Sequence, residues 1–281
     1  MSHHTFVGMD APRDIAGWVA CFEPQALPVL RRTALAIEEL RANEEAVDAH
    51  LLAEALSQDP LMTLKVLSHV ADLRRGREGT DAETLTAALV MLGITPFFRD
   101  FPEQPSVEDL LAGQESALAG FRSVLSRSHR AARFALAFAM QRMDHDAPII
   151  HDAALLHDFV ELLMWLRAPG LAEEVTRRQS ADPSLRSATV QREVYGLALP
   201  DLQHALMLRW HLPALLVDIT DDHRERISAQ ARCVWLSIRL ARHTASDWSN
   251  PALADDVRDI ASLLNMGLDP TLALLQDIDG V

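Results

Sequence analysis

Histidine and aspartate side chains recur in the C-terminal half of the sequence, and His157 and Asp158 stand side by side in an otherwise apolar stretch. Imidazole nitrogens and carboxylate oxygens are ligands that borderline and hard divalent cations prefer. A cation held by them would polarise a phosphoryl oxygen and lower the pKa of a bound water, so that hydroxide is available near neutral pH. Together with His129 and a later histidine or aspartate, the pair is a candidate metal site, and metal-assisted hydrolysis is the chemistry it would perform.

The spacing of these residues leaves a simpler interpretation open. Successive side chains on an α-helix point about 100° apart, so His157 and Asp158 reach one ion only if other helices close around it. Alternatively, His157 pairs with Glu161 one turn along, and Asp158 bonds a loop N–H or an arginine. Residue types and spacing do not decide between the two.

Three arginines at helical spacing, Arg127, Arg130 and Arg133, accompany His129. A guanidinium matches the oxygen geometry of a phosphate. Arg130 and Arg133 are therefore the candidate phosphate ligands if the chain is a phosphohydrolase. The same spacing also suits a solvent-exposed helix face.

Helices must position these residues. Apolar side chains cover nearly all sides of the segment from Pro148 to Arg167, which predicts a single buried central helix. Asp59-Pro60 is typical of another helix start, and Asn43 is expected to open a third helix. No segment alternates with the period of two residues that strands show. The predicted fold class is all-α.

The composition limits the function classes. Acidic residues exceed basic ones and give a formal net charge of −14, which argues against charge-driven binding of nucleic acid or of anionic lipid. The two cysteines, Cys21 and Cys233, form no CxxC motif and suggest a reducing compartment. Neither a signal peptide nor a run of 18 apolar residues is found. We expect a cytoplasmic protein that binds neither nucleic acid nor membrane.

Several short motifs follow one another along the chain. They are Ala26-Leu27-Pro28-Val29-Leu30, Gln58-Asp59-Pro60-Leu61, Lys65-Val66-Leu67, Leu85 to Gly93, His129-Arg130-Ala131-Ala132, Ala154-Leu155-Leu156-His157-Asp158, Tyr195-Gly196, Trp210-His211-Leu212-Pro213 and Asp222-His223. In their order and spacing these motifs resemble those of the HDOD family, bacterial signalling modules related to HD phosphohydrolases. The resemblance implies a multi-helix, HD-like domain with two lobes. We expect a flexible tail at residues 1–12, an N-terminal lobe at 13–115 and a C-terminal HD-like lobe at 116–281.

The sequence also departs from the family pattern. Ala71-Asp72 stands where the family usually has Asn-Ser, and Asp222-His223 replaces a pair of histidines. The aspartate that closes the metal site of HD enzymes on a later helix falls at Ser237 or Ile238. The metal ligands that the resemblance leaves are His129, His157, Asp158 and His223, a vestigial set that is too small to hold and activate a metal well.

The resemblance and its departures predict a non-catalytic regulatory or interaction module of bacterial signal transduction. Its partner would be another protein, and it would need no cofactor. The alternative is a metal-dependent HD-type phosphohydrolase that acts on a nucleotide or cyclic dinucleotide, with Arg130 and Arg133 at the phosphate. A third possibility is a small-molecule sensor that uses the pocket left by the lost metal.

Overall fold

A computed structural model describes residues 11–75, 82–182, 185–221 and 228–280, and these residues form helices joined by short connections. Within these ranges the one β-type contact is an isolated parallel bridge between Val29 and Ser106, so the predicted all-α class is confirmed. The chain groups into two compact units, Met1–Val124 with Phe159–Pro213 (unit 1) and Leu125–Asp158 with Ala214–Val281 (unit 2). The long helix α8 (Glu115–Gln141) begins in unit 1 and continues into unit 2.

Unit 1 packs short helices around buried leucine and phenylalanine side chains. Its remaining helices are α1 (Ile15–Val19), α2 (Arg31–Arg41), α3 (Ala49–Leu56), α4 (Pro60–Arg74), α5 (Leu85–Leu92), α6 (Ile94–Asp100), α7 (Val107–Leu110), α10 (Phe159–Arg167), α11 (Pro169–Ala181), α12 (Ser187–Tyr195) and α13 (Leu199–Arg209). The Asp59-Pro60 start is confirmed, because the Asp59 carboxylate accepts the Leu61 and Met62 N–H groups at 3.0 Å each. Asn43 begins only a short 3-10 helix (Glu44–Ala46), and the expected longer helix is wrong, because α3 has its own cap, Asp48, which accepts the Leu51 N–H at 2.8 Å.

Unit 2 is built around α15 (Ala229–His243), which packs against its neighbours in this unit. Besides its part of α8, it contains α9 (Ala147–Leu156), α14 (Ala214–Thr220), α15 (Ala229–His243), α16 (Leu253–Leu264) and α17 (Leu268–Asp279). Ser228 caps α15 by accepting the Ala231 N–H at 3.1 Å, and a basic last turn with Arg242 suits the negative end of the helix dipole.

The central helix expected from Pro148 to Arg167 is divided. Helix α9 ends at Leu156 and α10 begins at Phe159, so that His157 and Asp158 form a turn between them. Both helices are buried on nearly all sides, and an apolar pattern without a polar face cannot show where one helix stops and the next begins. The prediction of one unbroken helix is therefore wrong at the two residues that carry the candidate chemistry.

The sequence-based division of the chain differs from the grouping by contacts. Units 1 and 2 interleave along the chain, whereas the expected lobes follow one another and meet near residue 115. The lobes remain a prediction, and most of the expected tail at residues 1–12 lies outside the described residues. No helix in the described part of the chain has both the length and the apolar content needed to cross a bilayer.

Candidate functional site

The candidate site centres on the Asp158 carboxylate in the turn between α9 and α10. The first oxygen, Oδ1, lies 3.0 Å from Nδ1 of His157 and accepts a hydrogen bond from Arg242 Nη2 at 2.7 Å. The second oxygen, Oδ2, accepts a hydrogen bond from Arg127 Nε at 2.9 Å and lies 2.9 Å from Arg127 Nη2. One carboxylate thus holds two guanidinium groups and an imidazole, all from unit 2.

Burial and charge act against each other at Asp158, whose side chain is 6% exposed. Burial opposes ionisation, but the positive charges of Arg242 and Arg127 and the contact with His157 outweigh it. Together they hold the pKa of the Asp158 carboxyl well below its usual range. Asp158 is therefore a buried anion that is neutralised by arginine at physiological pH.

Two long helices bring the arginines to this turn. Arg127 projects from α8 and is mostly buried, with 18% of its side chain exposed. Arg242 lies in the last turn of α15, and 49% of its side chain is exposed. The contact of Asp158 with arginine, which the simpler interpretation expected, is therefore present.

The described side chains that bond the Asp158 carboxylate are positively charged arginines. In the ranges that the structure describes, no three His, Cys, Asp or Glu side chains come together as a metal would need. Both Asp158 oxygens are already bonded to guanidinium groups, whose charge would repel a cation. His129 is half-buried on α8. His223 lies outside the described residues, and its predicted role stays a prediction.

The arginines proposed as phosphate ligands contact a different carboxylate. Arg130 donates to Asp279 on α17 through Nε at 2.9 Å and Nη2 at 2.7 Å. It also donates to the Ala241 carbonyl at 3.2 Å and to the Thr244 hydroxyl at 2.7 Å. Arg133 approaches Asp279 at 3.6 Å with 57% of its side chain exposed. Phosphate binding by Arg130 and Arg133 stays a prediction.

A further buried carboxylate of unit 2, that of Asp256, was not predicted from the sequence as part of a site. Asp256 on α16 is 1% exposed and lies 2.7 Å from Nδ1 of His243 and 2.6 Å from Nε of Arg239. Its sequence context, an acidic first turn of a helix, is typical of a surface position. Its pairing with Arg239 and His243 of α15 could not be inferred from this context.

Unit 1 contains two buried charged residues, Asp59 and Lys65, which lie in two of the motifs noted above. Asp59 is 1% exposed, and its Oδ2 accepts the Leu30 N–H at 2.7 Å. Lys65 is 2% exposed and donates to the Leu27 carbonyl at 2.8 Å and to Gln104 Oε1 at 2.6 Å. Burial lowers the pKa of Lys65 to about 8, although the charge of Asp59 opposes the shift. Burial also shifts the pKa of Asp59, which it raises, although the backbone hydrogen bonds that the carboxylate accepts act to lower this pKa.

The described residues are helical, and they contain a buried imidazole–carboxylate pair at the turn formed by His157 and Asp158. The model of the HDOD domain matches residues 27–226, and the chain belongs to the HDOD family. The match ends before α15, so Arg242 and Asp279 lie beyond it. A search of curated protein sequences gave no significant match.

Solved structures are similar to this chain at low sequence identity. The MmoQ response regulator of Methylococcus capsulatus is 20% identical, with a TM-score of 0.66 over 89% of this chain and 97% of that one. A virulence factor of Campylobacter jejuni (cj0248) is 18% identical, with a TM-score of 0.60 over 90% and 94%. An HDOD domain protein of unknown function from Geobacter sulfurreducens is 18% identical, with a TM-score of 0.48 over 94% and 92%.

Proposed function

We propose that the chain is a non-catalytic regulatory module of the HDOD family that acts by binding a protein partner in bacterial signal transduction. The observation that supports this most directly is the neutralisation of Asp158 by Arg127 and Arg242. The carboxylate that a metal-dependent hydrolase would use as a ligand is here an internal salt-bridge partner.

Electrostatics explains why this arrangement disfavours a metal. A dication at Asp158 would have to displace guanidinium groups whose hydrogen bonds to the carboxylate are 2.7 and 2.9 Å long. After displacement, the two guanidinium groups would still lie close to the dication. Their positive charges would repel it strongly, because the buried site is less polar than water. A metal also needs several deprotonated ligands, and the described residues supply no such group around Asp158.

Family membership supports the regulatory part of the proposal. HDOD domains are associated with signalling, and the MmoQ protein is named a response regulator. The acidic net charge of −14 favours a protein partner over nucleic acid. A partner with a basic surface would be attracted by this charge at low ionic strength.

The proposal is tested by metal analysis and by hydrolysis assays on the same preparation. Protein purified without chelator is expected to contain far less than one Mn, Fe or Zn per chain. With added Mn²⁺, hydrolysis of a cyclic dinucleotide by the wild type is expected to equal that of Asp158→Asn. Near-stoichiometric metal that is lost together with phosphodiesterase activity in His157→Ala would contradict the proposal.

The partner is sought by affinity capture from the native host followed by mass spectrometry. A captured protein counts as the partner only if the purified pair forms a complex of defined stoichiometry. The Asp158→Asn variant should bind this partner as the wild type does, because the carboxylate is buried and contributes to the stability of the fold.

A further inference from the structure

Asp279 in the last turn of α17 is held by a set of donors that would suit any small oxyanion. Arg130 donates to the Asp279 carboxylate through Nε at 2.9 Å and Nη2 at 2.7 Å, and Trp248 Nε1 donates to its Oδ2 at 3.1 Å. Its side chain is only 8% exposed. Arg130 is fixed in turn by the Thr244 hydroxyl and the Ala241 carbonyl. We call Arg130, Arg133 and Trp248 the anion receptor.

The position of Asp279 runs against local helix preference. A carboxylate near the C-terminus of a helix faces the negative end of the helix dipole, which disfavours it. Here the contact with Arg130 first, and then with Trp248 and Arg133, lowers the pKa of Asp279 even though burial opposes this. A residue that violates a local rule and is compensated by a specific partner is typical of a functional position.

Helix α17 has few fully buried side chains. Of its twelve residues, Thr271 and Leu275 are buried, Leu272, Leu274 and Ile278 are half-buried, and Leu268 is 54% exposed. The contact between Asp279 and the anion receptor adds a polar contact at the C-terminal end of the helix to this apolar burial.

We propose that the anion receptor is a binding site for the phosphoryl group of a small molecule. In the structure Asp279 of the same chain occupies this site, so the ligand and α17 compete for it. A guanidinium fork fits carboxylate and phosphate alike, and a phosphoryl group carries more charge and more acceptor oxygens than Asp279. Arg133, 57% exposed and 3.6 Å from Asp279, supplies a second cation at the rim. Binding of the ligand releases α17, independently of the partner binding proposed above.

Inorganic pyrophosphate is the probe, and it is titrated calorimetrically into the 281-residue chain at constant ionic strength. Asp279→Ala is expected to bind it roughly tenfold tighter than the wild type, because the competing carboxylate is gone. Asp277→Ala is the matched control: it removes the same charge from an exposed position two residues earlier and should bind as the wild type does. Arg130→Gln added to Asp279→Ala should abolish the gain.

Hydrogen exchange on the wild type tests the same competition without a mutation. Excess pyrophosphate is expected to speed exchange of the α17 amides relative to chloride at the same ionic strength. The proposal is overturned if folded Asp279→Ala shows no gain in affinity, or if Asp277→Ala shows the same gain. Should Asp279→Ala fail to fold, unchanged exchange in α17 overturns it, and faster exchange supports it.

Discussion

Arg242 Nη2 and Asp158 Oδ1 lie 2.7 Å apart, although the two residues are separated by 84 positions in the sequence. Arg242 stands at the C-terminal end of α15, and Asp158 stands in the turn that divides the predicted central helix. This contact fixes the end of α15 to that turn within unit 2. It also gives the buried carboxylate a compensating positive charge.

The two arginines at Asp158 should differ in their contribution to stability. Arg127→Ala is expected to lower the free energy of unfolding by about 3 kcal/mol, because it removes a mostly buried partner of a buried charge. Arg242→Ala should cost less, about 1 kcal/mol, because nearly half of the Arg242 side chain is in solvent. Urea unfolding followed by circular dichroism measures both values.

Arg122→Ala on the exposed part of α8 is the control for this series. It removes the same side chain from a surface position and should change stability by less than about 0.5 kcal/mol. Equal effects of Arg127→Ala and Arg122→Ala would show that the contact with Asp158 contributes nothing.

Acid should weaken the fold through Asp158. The pKa of this carboxyl is held low in the folded state, so the unfolded chain takes up the proton first as the pH falls. Its stabilisation is complete above the unfolded pKa of about 4 and is lost as the pH falls towards the folded pKa. The stability difference between wild type and Asp158→Asn should therefore be constant above about pH 5 and shrink below it. Unfolding curves between pH 3 and 6 measure it, and a constant difference would argue against a depressed pKa.

Local rules predicted much of the fold. Helix starts such as Asp59-Pro60 depend on a side chain that bonds N–H groups two or three residues away, so the sequence shows them directly. The absence of strand periodicity likewise identified the all-α class, and the motif order identified the family. The burial of His157 and Asp158 followed from their apolar surroundings.

What the sequence could not show depends on distant contacts. Nothing near Asp158 indicates that Arg242 would reach it, because α15 is brought there only by packing. Asp279 looks like an ordinary surface residue near the chain end, and its contact with Arg130 spans 149 positions. The division of the central helix was hidden for a different reason: helices buried on all sides have no polar stripe to mark a break.

Lys65 is the only lysine among the 26 Lys and Arg residues, which makes its titration separable. Because burial lowers its pKa to about 8, the unfolded chain holds the proton more tightly between about pH 8 and 10.5. Stability should therefore rise with pH in this window relative to Lys65→Met, which cannot titrate. Selective ¹⁵N-lysine labelling gives a single side-chain signal whose midpoint is expected near pH 8. A midpoint above pH 10 would show that the amine is not desolvated as the structure has it.

Gly120 on α8 lies directly against the Trp165 ring within unit 1. A Cβ added to Gly120 would come within the van der Waals radii of three ring atoms, and Trp165 is only 4% exposed and cannot move aside freely. Gly120→Ala should therefore lower the free energy of unfolding by about 1–3 kcal/mol, although alanine is the better helix former. Gly170→Ala on α11 is the matched control, because nothing lies within 4 Å of its added Cβ. That variant should be neutral or up to about 1 kcal/mol more stable. Thermal unfolding of both variants decides the matter: equal melting temperatures would mean that Gly120 and Trp165 are not in close contact.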